Sequence, residues 1–203
     1  MTLRPFRTLA VALLATAAGL GAAKATTTIG NDVISRSSND AFANFSAYFT
    51  DLVLPAGTLT SFSYLGRKTG TIALLVFSET ESGDWVTEGV FDATIGERDT
   101  VETTTIPSGF AVEAGWILGL YQGSGKVDYS QFAGFPRNMT YAANNSGKPG
   151  VGDPLPGDSR LSIRRDYSIS ARVEPSVVPL PPALPALASS VCALALLRRR
   201  ARR

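Results

Sequence analysis

The sequence predicts an all-β domain, a jelly-roll-like β-sandwich, held between two segments built for membranes. Three observations carry this. Residues 26–173 are rich in Thr, Ser, Val, Phe and Tyr, side chains that suit a pleated, half-buried surface. Short apolar or alternating runs are punctuated by Gly, Pro, Asn and Ser, as strands are by their turns. No long stretch places apolar residues at helical spacing.

Eight strands are expected, over Phe42–Leu54, Leu59–Leu65, Thr71–Phe77, Trp85–Ala93, Thr100–Thr105, Trp116–Tyr121, Val127–Phe132 and Leu161–Val173. Turns are expected at Pro55-Ala56-Gly57, from Gly66 to Gly70, at Ser82-Gly83-Asp84 and at Gly123-Ser124-Gly125. Thr71–Phe77 is almost continuously apolar, as expected of a central strand. Leu161, Ile163, Tyr167, Ile169, Ala171 and Val173 mostly keep one parity, which predicts one wet face. Residues 133–160 read as a long polar loop.

The flanks follow a different physics. In residues 1–25, Arg4 and Arg7 precede an apolar run from Leu9 to Leu20, and Ala23-Lys24-Ala25 closes it. A positive start, a short greasy stretch and small residues at Ala23 and Ala25 predict a signal peptide and its cleavage site. Residues 174–182 form a proline-rich linker, 183–197 an apolar run and 198–203 a basic cluster. Val177 to Leu197 carries no charge over 21 residues, about one bilayer core in length if helical. This predicts a transmembrane helix. Arg198, Arg199, Arg200, Arg202 and Arg203 would hold its end on the cytoplasmic side and stop transfer.

Eight of the 19 Lys and Arg residues lie in these flanks, which leaves 11 in residues 26–175 against all 17 Asp and Glu. The domain is therefore acidic, with a net charge of −6, and its field repels nucleic-acid phosphates. No nucleic-acid partner is expected. The chain has no His, and its single Cys, Cys192, lies in the apolar tail. Ser-His-Asp triads, Cys-His pairs and His-based zinc sites are thereby excluded from the domain. What remains open is carboxylate chemistry or oxygen-ligated calcium. No cofactor is expected, and no residue is identified as catalytic or metal-binding.

Val178-Pro179-Leu180-Pro181, followed by the apolar run and the terminal arginines, resembles the VPLPA variant of the PEP-CTERM sorting signal. That resemblance covers Val178 to Arg203 and departs from the family pattern at Pro182, where Ala is usual. It implies recognition by an exosortase, a membrane-embedded cysteine protease. Cleavage near the proline motif would then pass the protein to the cell surface or an exopolysaccharide matrix. Gly115–Tyr121 and Gly123–Tyr129 resemble paired strands of secreted jelly-roll domains that accompany such tails.

Within the domain the candidates are few. Gly123-Ser124-Gly125-Lys126 lacks the Gly at 120 and the Ser or Thr at 127 of a phosphate loop, and reads as a hairpin turn. Glu79, Glu81 and Asp84 share one turn and read as a solvated acidic tip rather than a calcium loop. Trp85 and Trp116, with Tyr64, Tyr121 and Tyr129, are candidates either for core packing or for stacking on sugar rings. The leading expectation is a non-enzymatic exported envelope or matrix protein, with an exosortase-type protease and the cytoplasmic membrane as partners. A carbohydrate-binding module of the polysaccharide matrix is the alternative, and a carboxylate glycosidase the third.

Overall fold

The computed structural model describes residues 25–41, 43–131, 139–141, 147–155, 162–163 and 165–176. Among them the regular structure is entirely strand, in the order β1 Thr27–Gly30, β2 Ser38–Asn39, β3 Phe45–Val53, β4 Gly57–Lys68, β5 Gly70–Glu79, β6 Trp85–Ile95, β7 Val101–Val112, β8 Ile117–Gln122, β9 Lys126–Gln131, β10 Met139–Tyr141, β11 Ser162–Ile163, β12 Arg165–Tyr167 and β13 Ile169–Pro175. These build two antiparallel sheets. One has the path β1-β13-β4-β9-β12, with β2 joined to β9 and β7 to β4; the other runs β11-β10-β3-β8-β5-β6.

The two sheets share one apolar interior. Leu59, Phe62, Tyr64, Val127, Tyr167, Ile169, Ala171 and Val173 of the seven-stranded sheet meet Phe45, Phe49, Ile72, Leu74, Val76, Leu118 and Leu120 of the six-stranded sheet. The alternation expected at the C-terminal end of the domain is present: Tyr167, Ile169, Ala171 and Val173 are buried, while Arg172 is exposed. This arrangement is a β-sandwich-like fold: burial alternates along β13, as the pleat requires of a strand with one wet face, while β3, β5 and β8 are buried almost continuously.

β5 is a central strand, as its apolar composition predicts, lying between β8 and β6, and it is covered on both faces. Ile72, Leu74 and Val76 enter the shared interior. Ala73, Leu75 and Phe77 point the other way, into a second cluster with Tyr48, Ile117 and Leu155. Residues 150–155 reach this outer side by extending the sheet edge. Thr87 N–H donates to Asp153 O at 2.9 Å, Gly152 N–H to Thr87 O at 2.8 Å and Leu155 N–H to Trp85 O at 2.9 Å. The unpaired edge of β6 is thereby capped over part of its length.

Several expectations are corrected. β8 and β9 are not a hairpin or a pair: β8 bonds to β3 and β5, whereas β9 bonds to β4, β12 and β2. Residues 123–125 carry the chain from one sheet to the other. They pack so closely on the start of β5 that a Cβ at Gly125 would sit 2.5 Å from Gly70 O. Glycine at this point serves close approach rather than a turn type. Gly66 is likewise not a turn residue. It lies inside β4, where a Cβ would sit 2.2 Å from Ile95 Cγ2, and Thr69 alone separates β4 from β5.

The strand expected over Leu161–Val173 is three pieces, since β11 belongs to the six-stranded sheet and β12 and β13 to the other. β7 runs past its expected end to Val112, through Pro107. Among the described residues β4 is the one strand hydrogen-bonded to β7, and an edge strand tolerates a missing N–H. β1 and β2 are short additions that no sequence signal marked. β10 lies inside the expected loop 133–160.

Candidate functional site

The surface that gathers the most chemistry is set by register. Ala73 of β5 lies opposite Tyr121 of β8 on one side and Asp92 of β6 on the other. One step back along β5, Thr71 lies opposite Thr94. Directly opposed residues share a face. Ile72 and Leu74 point into the shared interior, so Thr71, Thr94, Tyr121 and Asp92 project from the outer face. Tyr121 and Asp92 stand two strands apart, about 10 Å at ordinary strand spacing.

A pocket of about 410 Å³ opens between them, lined by Thr71, Asp92, Ala93, Thr94, Tyr121 and Lys148. Lys148 lies just before the segment that extends the edge of β6. Its Nζ donates to both carboxylate oxygens of Asp92 at 2.7 Å. The pair faces water, with the two side chains 38% and 68% exposed. Tyr121 is half-buried against the outer apolar cluster. Its hydroxyl donates to Asn44 Oδ1 at 3.0 Å, which fixes the ring at the pocket wall. Asn44 holds a left-handed backbone conformation (φ 57°), which asparagine adopts more readily than most residues.

A second polar centre lies buried, where the segment between β1 and β3 folds over the end of the seven-stranded sheet. The Asp40 carboxylate accepts from Arg165, from the Tyr167 hydroxyl and, at 2.8 Å, from Gln122 Nε2. Gln122 Oε1 in turn accepts from Val127 N–H at 2.9 Å. Lys126 Nζ donates to Gly123 O at 3.1 Å and sits 5.5 Å from the centre of the Phe45 ring. Arg165 stacks 4.0 Å from the centre of the Tyr129 ring. Nearby, Asp128 accepts from Arg36 N–H at 3.0 Å, and Arg36 Nε donates to Ser168 Oγ at 2.8 Å. Asp40, Gln122, Lys126 and Asp128 are all at most 4% exposed.

Burial pushes the Lys126 ammonium below the ordinary lysine value; the Asp40 carboxylate opposes that shift and Lys68 adds to it. Burial likewise raises the Tyr64 phenol. The Asp40 carboxylate is met by three donors from within the chain, and the geometry is that of a clamp on residues 31–40.

The two tryptophans are not brought together. Trp85 packs half-buried on the outer cluster, 6.4 Å from the Tyr48 ring centre. Trp116 packs against the shared interior, 6.2 Å from Phe110. Tyr64 and Tyr129 are core residues. Of the five aromatic candidates, only Tyr121 lines the pocket. At the turn holding Glu79, Glu81 and Asp84, the Asp84 carboxylate accepts from Ser82 Oγ at 2.9 Å. Among the described residues no three His, Cys, Asp or Glu side chains gather as a metal site. Glycoside hydrolysis by the usual route needs two carboxylates, and the pocket lining contains one.

Ala25 is exposed, two residues before β1. Ala23, Val178, Pro179, Leu180, Pro181, Arg198, Arg199, Arg200, Arg202 and Arg203 lie outside the described residues.

Asp92, Thr94, Thr71 and Lys148 were not singled out from sequence. The alternation Phe91-Asp92-Ala93-Thr94 does place Asp92 and Thr94 on one face. Nothing in the sequence, however, indicates that Lys148 crosses to meet them.

Comparison with known proteins was equally open. Nothing matches. No family model, curated protein or solved structure is similar to this chain.

Proposed function

We propose that the chain is an exported, non-enzymatic protein of the cell envelope or extracellular matrix, with a jelly-roll-like domain delivered by its C-terminal tail. The carrying observation is the order of three segments: Val178-Pro179-Leu180-Pro181, an uncharged apolar run and a terminal arginine cluster. β13 ends at Pro175, three residues before this motif. Cleavage near the prolines would therefore release the domain whole. Residues 1–25 supply the export signal and residues 183–197 the transmembrane helix of the precursor. An exosortase-type protease in the cytoplasmic membrane is the partner this reading requires.

The test is made in cells that carry such a protease. Replacing Pro179 and Pro181 by Ala should leave a full-length precursor in the membrane fraction. A mature band of unchanged size would contradict the proposal. Deleting Arg198 to Arg203 should weaken membrane arrest.

A second reading, a carbohydrate-binding module of the exopolysaccharide matrix, is favoured by one observation: the outer-face pocket pairs an oriented aromatic ring with hydrogen-bonding groups of both kinds. Trp85 and Trp116 do not share a surface that would support it.

A further inference from the structure

We propose that the outer-face pocket binds one ring of a neutral saccharide, with Tyr121 as the stacking wall and the Asp92–Lys148 pair as the hydroxyl reader. The inference rests on the matrix reading above, and gives the domain something to hold once outside the cell.

The pocket walls differ in kind. On one side stands the ring of Tyr121, half-buried on its apolar cluster and tied at its hydroxyl to Asn44. A flat aromatic face of this sort takes up the C–H face of a sugar without losing much side-chain freedom, because the ring is already held. On the other side Asp92 offers two acceptor oxygens and Lys148 a donor, already aligned at 2.7 Å. Adjacent hydroxyls of one sugar present a donor and an acceptor side by side, so such a pair can be read by one carboxylate and one ammonium together. Thr71 and Thr94 contribute two further hydroxyls to the lining. The two walls rise from strands about 10 Å apart, a spacing on the scale of one ring rather than of a flat multi-ring surface.

Charge selects within the saccharides. The Lys148 charge is met by Asp92 within the pocket, and the surrounding domain carries a net charge of −6. An anionic uronate would gain no uncompensated cation and would approach an acidic body. Asp92 and Lys148 are exposed enough to exchange partners. An exposed ion pair is worth little to stability, so a ligand can open it at low cost.

The experiment uses the full-length protein in detergent, with short glucose-, galactose- and mannose-based oligosaccharides and uronic-acid oligosaccharides of equal length. Saturable binding to at least one neutral series is expected. Tyr121→Ala and Asp92→Asn should each weaken it at least about tenfold. Tyr121→Phe keeps the ring and should retain most of the binding. Lys148→Met should weaken neutral binding without creating uronate binding. Melting temperature is followed throughout, and Asp92→Asn, a surface change, reports even if Tyr121→Ala unfolds the domain. No saturable binding to any neutral series overturns the proposal. So does binding confined to uronates, or neutral binding that survives both Tyr121→Ala and Asp92→Asn. Any of these leaves the tail unaffected, because sorting is read from precursor size and not from sugar affinity.

Discussion

Two sites in this protein are made of the same three parts and behave in opposite ways. Asp40, Arg165 and Tyr167 form one; Asp92, Lys148 and Tyr121 form the other. Each combines a carboxylate, a cation and a phenol. Asp40 is 4% exposed and accepts from Arg165, Tyr167 and Gln122 together. Asp92 is mostly in water, with Lys148 as its ionic partner. Burial makes the difference. A carboxylate taken out of water must have its lone pairs filled from within the protein, and the Asp40 carboxylate is committed to three internal donors. A carboxylate in water can trade partners cheaply. The lesson is that residue identity does not distinguish a clamp from a binding site; the solvent around it does.

The largest effect that would break this contrast is at Asp40. Asp40→Ala takes the carboxylate from half-buried Arg165 and from the buried Tyr167 hydroxyl and Gln122 amide, and should destabilise the domain by about 3 kcal/mol in denaturant unfolding. Asp40→Asn keeps an acceptor for Tyr167 and should cost less than Asp40→Ala. If both changes cost under about 1 kcal/mol, the centre is not a clamp.

A second measurement follows from Lys126. Below its lowered native value, the ammonium is charged in both the folded and unfolded chain. Above the ordinary value of 10.5 it is neutral in both. Between these limits the unfolded chain binds the proton and the native state does not, so this residue makes stability rise with pH. Lys126→Met removes that slope. The wild type should therefore gain on the variant as pH rises towards 10.5, by pH-dependent denaturant unfolding. Tyr64 works the other way, since its raised native value loses stability as pH climbs above 10.0. It is present in both proteins and drops out of the difference. A constant gap across the range would show that Lys126 is not desolvated.

The smallest effect sharpens the contrast from the exposed side. Lys148→Met should change stability by less than about 1 kcal/mol, and that small change should shrink further as salt is raised. A loss as large as that of Asp40→Ala would mean the outer pair is structural, and the two sites would no longer differ.

Some of this was legible before any coordinates. The almost continuous apolar run Thr71–Phe77 marked β5 as a central strand, and the parity of Tyr167, Ile169, Ala171 and Val173 gave the core-facing side of β12 and β13. Both are local patterns, and local pattern is what a pleated strand writes into its own residues. The Gly123–Gly125 turn misled because glycine marks a tight backbone whether it closes a hairpin or crosses between sheets. Trp85 and Trp116 were singled out for their type, while the residue that lines the pocket is Tyr121. Neither site was legible as a site: Asp40 finds Arg165 across 125 positions of chain and Lys148 finds Asp92 across 56.

Amino-acid order alone determined the β character, the acidic domain, the lack of His and Cys in it, and the uncharged apolar runs that flank it. Each is a property of composition or of neighbours along the chain. Tertiary structure alone decided which strands share a sheet, which carboxylate is dry and which is wet, and where an aromatic ring faces an ion pair. Those depend on the closure of long loops, whose ends meet only because two sheets bury their apolar faces against each other.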